Sequence, residues 1–212
     1  MESTIIRNAL DFVREVFQND YSGHDYFHTL RVYKTATRIA EAEGADVATV
    51  SLAALLHDVD DRKLSPETCV NKDKARAFLR ENGASEASIE TICKIIAEVS
   101  FSEGIVPDTL ESQCVQDADR LDALGAVGIA RTFAYGGSHH REMYNPDIPP
   151  KINMSKEEYA NSKSTSINHF YEKLFQLRDL LNTSSAKQIA EYRENFMHNF
   201  VNEFLSEWNG DR

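Results

Sequence analysis

Apolar residues recur three and four positions apart along almost the whole chain, and no run of strict alternation bounded by turn residues interrupts them. That regularity restricts the chain to helix packing on helix, so an all-α fold is expected. A first helix is expected from about Ser3 to Phe17, with Ile6, Leu10, Val13 and Phe17 on one stripe, before "NDYSG" breaks it. A second covers Tyr26 to Glu43 and stops at Gly44, and a third opens on Asp46 as N-cap and carries Val50, Leu52, Ala53, Leu55 and Leu56. "LSPE" restarts the chain with Pro66 near a first helical turn. Further helices are expected over about 71–82, 86–99 and, as one long element rich in Ala and Gly, 110–135. Residues 136–154 hold two Gly and three of the five Pro and read as a long loop of the kind that often covers a functional cleft. Helices over about 155–181 and 185–208 finish the chain.

With 212 residues, the expectation is a single domain over 1–212, its core at about 20–135 and the C-terminal helices added at about 155–208. No apolar stretch approaches the roughly 20 residues that cross a bilayer, and the N-terminus reads as an amphipathic helix, so a cytoplasmic protein is expected. Cys69, Cys93 and Cys114 are odd in number and never in CxxC spacing, which suggests reduced packing thiols. A net charge of -11 argues against nucleic-acid polymers and anionic membranes as partners. A small phosphorylated substrate stays open if a metal supplies local positive charge. Nothing in the sequence sets the oligomeric state.

The stretch "ALLHDVDDRKL" poses the chemical question, because an apolar run ends in His57 and the carboxylates Asp58, Asp60 and Asp61. Either a helix runs out into water there or a cation is waiting. His28 near the start of the second helix, His57 and Asp58, and the acidic run Asp117, Asp119 and Asp122 are the residues with metal-binding chemistry. Adjacent helical residues point about 100° apart, so His57 and Asp58 can take two neighbouring corners around one ion. Mixed imidazole and carboxylate donors suit Mn, Fe, Zn, Ni or Co better than a purely oxygen-loving ion. His24 stands four before His28, but "HDYFH" lacks the Glu of a zincin motif.

The order His28, His57–Asp58 and a later Asp in "DADRLDALGA" resembles the HD-domain superfamily of metal-dependent phosphohydrolases. The contexts "GHDYFHTLRV", "DADRLDALGAVGIARTFAYGG" and "INHFYEKLFQLRDLLNT" are similar to its small stand-alone bacterial members, which include nucleotide pyrophosphohydrolases. The resemblance implies an HD-domain helical bundle with one divalent ion, Mn foremost with Mg, Ni, Co, Fe or Zn as alternatives, held by His28, His57, Asp58 and Asp119. Asp122, one turn on, is the rival for the last place. It implies that Asp61 orients the attacking water, while Asp60 is read from its position as a solvated helix end. Lys63, His24, His169 and Lys173 are implied on the substrate side; His139 and His140 could help close the cleft, and His198 is a packing or surface residue. The implied substrate is a nucleotide, with pyrophosphate released from a triphosphate. The alternatives are a 5′-nucleotidase releasing phosphate and a non-catalytic nucleotide-binding module.

Overall fold

The helix Val47–Leu56 has no polar face: every residue from Val50 to Leu56 is buried. A helix apolar all round must lie inside its unit. In the computed structural model, which describes residues 3–18, 25–61, 65–99, 105–155, 157–158 and 162–211, it does. The described helices are α1 (Thr4–Val16), α2 (Tyr26–Glu43), α3 (Val47–Leu56), α4 (Asp73–Glu81), α5 (Glu86–Val99), α6 (Leu110–Asp122), α7 (Gly125–Ser138), α8 (Ser166–Glu172) and α9 (Ser184–Asn209). Two short 3₁₀ turns, Leu174–Gln176 and Arg178–Leu180, lie between the last two. Among the described residues there is no strand, and no helix is long and apolar enough to cross a membrane.

The chain forms two compact units, residues 1–119 and 120–212. In the first, α1, α2 and α5 pack around α3. Ile6, Ala9 and Val13 come from α1, Val32, Ala36 and Ile39 from α2, and Ile92, Ile95 and Ile96 from α5, all buried. Gly44 ends α2 at φ 79°, a conformation that costs a residue with a Cβ but not glycine. Asp46 caps α3 by accepting from the amides of Ala48 and Thr49 at 2.9 and 3.4 Å. Removing a side chain such as Leu56 from this core should cost about 2–5 kcal/mol.

In the second unit, α7 packs on α8 and α9. Phe133 of α7, Phe170 of α8 and Phe200 and Phe204 of α9 form one aromatic cluster, with ring centroids 5.9–6.3 Å apart. The stretch after α7 is tied to α8 at several points. The amides of Ser166 and Ile167 donate to the carbonyls of Glu142 and Met143, each at 2.9 Å, and Asn168 Nδ2 donates to the Ile148 carbonyl at 2.7 Å. Buried Glu172 accepts from the Lys151 amide and the Ser164 hydroxyl.

Four sequence expectations change. Residues 110–135 are two helices, because Leu124 is extended and Gly125 takes φ 77°, which breaks the run. Residues 155–181 are not one helix but α8 and two 3₁₀ turns, with Lys173 off helical geometry at φ -141°. Pro66 opens a series of turns, and α4 begins only at Asp73. Finally, α3 stops at Leu56, so His57 to Asp60 form turns instead of a last helical stretch. The break expected in "NDYSG" falls outside the described residues.

Candidate metal centre

Three elements of the first unit each deliver one ligand type to a common point. Asp25 caps α2 and its Oδ1 accepts from the His28 amide at 2.7 Å, which sets His28 in the first turn, 1% exposed. The buried α3 carries His57 at its C-terminal end. Asp119 projects from the last turn of α6, its side chain 26% exposed. One donor atom from each of His28, His57 and Asp119 lies within 4.8 Å of the others. Asp58 joins them: its Oδ2 stands 3.2 Å from His57 Nε2 and 3.4 Å from His28 Nε2, while Asp119 Oδ1 is 3.4 Å from His28 Nε2. The two imidazole rings meet edge to face with centroids 5.4 Å apart.

The chemistry of this donor set fits a divalent ion. His57 Nδ1 lies 2.8 Å from the Ala54 carbonyl, an atom that can only accept, so Nδ1 carries the proton and the lone pair of the neutral ring is on Nε2. That Nε2 is buried and makes no hydrogen bond. A buried nitrogen without one is costly unless a cation takes it. Donors about 2.1 Å from one ion and at right angles to each other stand about 3 Å apart, close to the separations here. Burial acts against a proton on His57, yet the neighbouring charges of Asp58 and Asp119 outweigh it and raise its pKa. A site that draws a proton onto a desolvated imidazole attracts cations generally.

The remaining candidates sort as follows. Asp122 is engaged by Arg131, whose Nη1 lies 2.5 Å from its Oδ2, so among the rivals only Asp119 belongs to the cluster. Asp117 is fully buried on another face of α6. Asp61 lies in the turn after α3, half-buried, its amide donating to the Asp58 carbonyl at 3.0 Å. Asp60 is a correction: it is fully buried, not solvated, because its carboxylate reaches the start of α4. Sequence reading missed this, since the partners lie 14 and 15 residues away. His24 and Lys63 lie outside the described residues. His169 and Lys173 belong to the second unit. Burial, with Lys173 and Arg141 nearby, pushes His169 down to about 3, so it is neutral at ordinary pH. His139 is exposed and stacks on Tyr135 at 3.8 Å; His140 is exposed too. His198 stacks on Phe175 at 3.8 Å.

A helical unit that gathers His and Asp from two helices and His–Asp from the turn that ends a third defines a class, and residues 25–124 match the HD domain. The chain belongs to the HD-domain family, and it is a hydrolase of that family. It is similar to YpgQ of Bacillus subtilis, 36% identical over 194 residues that cover 90% of this chain and 87% of that protein. An HD-superfamily hydrolase from Bacillus thuringiensis shares 43% identity over 96% of both chains, with a TM-score of 0.79. The crystal structure of YpgQ in complex with ADP has a TM-score of 0.74 and covers 93% of this chain and 96% of that one.

Proposed function

We propose that this protein is a metal-dependent phosphohydrolase acting on nucleotides, cleaving a nucleoside triphosphate to the monophosphate and pyrophosphate. The observation that carries this reading is the convergence of His28, His57 and Asp119 within 4.8 Å, with Asp58 against both imidazoles. The ADP held by similar YpgQ supports a nucleotide ligand.

His28, His57, Asp58 and Asp119 would hold one divalent ion, Mn foremost. Such an ion lowers the pKa of bound water and withdraws charge from a phosphoryl oxygen. The Ala54 carbonyl keeps His57 in the tautomer that presents Nε2, and Asp25 holds the first turn of α2 and with it His28. The carboxylate of Asp61 orients the attacking water and takes its proton. The water oxygen bonds to the α-phosphorus, the bond from that phosphorus to the bridging oxygen breaks, and pyrophosphate leaves with that oxygen. Substrate binding falls to Lys63 as a cation and to His24 as a hydrogen-bonding group.

The test is product analysis across a nucleotide panel with Mn(II). Monophosphate plus pyrophosphate is expected. Nucleoside plus free phosphate would make the protein a 5′-nucleotidase, and binding without turnover would make it a nucleotide-binding module.

A further inference from the structure

Helix α4 supplies none of the four candidate ligands, yet its first turn holds the carboxylate of Asp60, two residues after Asp58. Its N-cap residue, Lys72, sits at φ 57° and gives the helix no side-chain cap. The free amides at a helix start need acceptors, which a residue at the N-cap normally provides. Here Asp60 provides them from outside the helix: the amides of Lys74 and Ala75 donate to its Oδ1 and Oδ2 at 3.2 and 3.0 Å. A negative carboxylate is also favoured there by the helix dipole.

A second strut runs beside the first. Lys74 Nζ donates to Ser65 Oγ at 2.5 Å, and Ser65 Oγ donates to the Val59 carbonyl at 3.2 Å. The turn itself is tight, with the Val59 amide on the Leu56 carbonyl and the Asp61 amide on the Asp58 carbonyl. Residues 59 and 60 are thus fastened to α4, immediately after Asp58 and immediately before Asp61. Where α3 has already ended, this fastening replaces the helix that would otherwise fix the direction of Asp58.

We infer that Asp60 is a positioning residue, which clamps the His57–Asp61 turn to the start of α4 and so holds Asp58 in register with His57 for metal binding. This rests on the metal-centre reading above. Groups that orient metal ligands typically change affinity by about 10-fold to 100-fold when removed.

The test is calorimetric titration of Mn(II) into the full chain, together with the visible spectrum of the Co(II)-loaded protein. Asp60→Asn and Asp60→Ala are compared with Asp46→Ala, which removes the cap at the far end of α3. Asp46→Ala should lower Tm and keep Mn(II) affinity within about twofold of the parent, as distant sites act independently. Asp60→Asn should weaken Mn(II) by about 10-fold or more and shift the Co(II) bands. Asp60→Asn keeps one acceptor oxygen and serves if Asp60→Ala does not fold. Asp60 variants with parental affinity and an unchanged Co(II) spectrum, whatever their Tm, would overturn the inference and leave a helix cap only. A His57→Ala variant that binds Mn(II) like the parent would instead overturn the metal centre itself.

Discussion

His57 is a buried imidazole and His169 a half-buried one, and their surroundings drive them in opposite directions. Burial disfavours the charged ring at both. At His57 the carboxylates of Asp58 and Asp119 overcome that penalty and the pKa rises. At His169 burial acts unopposed, and the charges of Lys173 and Arg141 add to it, so the value falls to about 3. The difference teaches that residue type alone does not define a site. The first unit gathers carboxylates around imidazole and is built for a cation; in the second, cations surround an imidazole that stays neutral.

The sharpest way to break this contrast is to remove each histidine in turn. His57→Ala should weaken Mn(II) binding by about 100-fold or more, whereas His169→Ala should leave it unchanged, both by calorimetry. Equal losses would erase the distinction between the two sites.

The next contrast sets Asp119 against Asp122. Asp119→Asn should lower metal affinity strongly with little effect on folding. Asp122→Asn should spare the metal and lose about 1–3 kcal/mol of stability in denaturant unfolding, because a mostly buried pair with Arg131 is broken.

A pH-dependent contrast should appear in acid. The folded value of His169 lies below its unfolded value of about 6.5, so the unfolded chain binds the proton more readily and stability is lost as pH falls from about 6.5 toward 3. His169→Gln should flatten that part of the stability curve, and an unchanged slope would place the acid sensitivity elsewhere.

The smallest concerns thiol labelling. Burial first, then the charges of Asp117, Glu43 and Glu111, pushes the Cys114 thiol up to about 12. Iodoacetamide at pH 8 should label half-buried Cys69 in the native protein and leave Cys114 untouched until unfolding, as read by mass spectrometry. Native labelling of Cys114 would show that the acidic interior of the first unit is less closed than described.

Much of this was legible along the chain wherever the deciding contacts are local. Gly44 and Asp46 mark the α2–α3 boundary by their own backbone and side-chain chemistry, and the apolar run from Val50 to Leu56 announces a buried helix. The order of His28, His57–Asp58 and Asp119 pointed to the grouping that the fold gathers. What escaped depends on contacts between distant residues or on one dihedral angle. Asp60 looks like a solvated end until α4 folds back on it. Gly125 and Gly128 suit close packing within one helix; the break between α6 and α7 comes from the extended backbone of Leu124 and the positive φ of Gly125. Asp119 and Asp122 look alike along the chain; Asp122 is engaged by Arg131, nine residues beyond it and on the next helix, while Asp119 lies beside His28 and His57.

The most direct test of the central claim is metal analysis paired with hydrolysis, in the same preparations of the parent protein and Asp58→Ala. One divalent ion per chain and nucleotide hydrolysis in the parent, with both lost in the variant, is the predicted result. Full metal content and full activity in Asp58→Ala would contradict it.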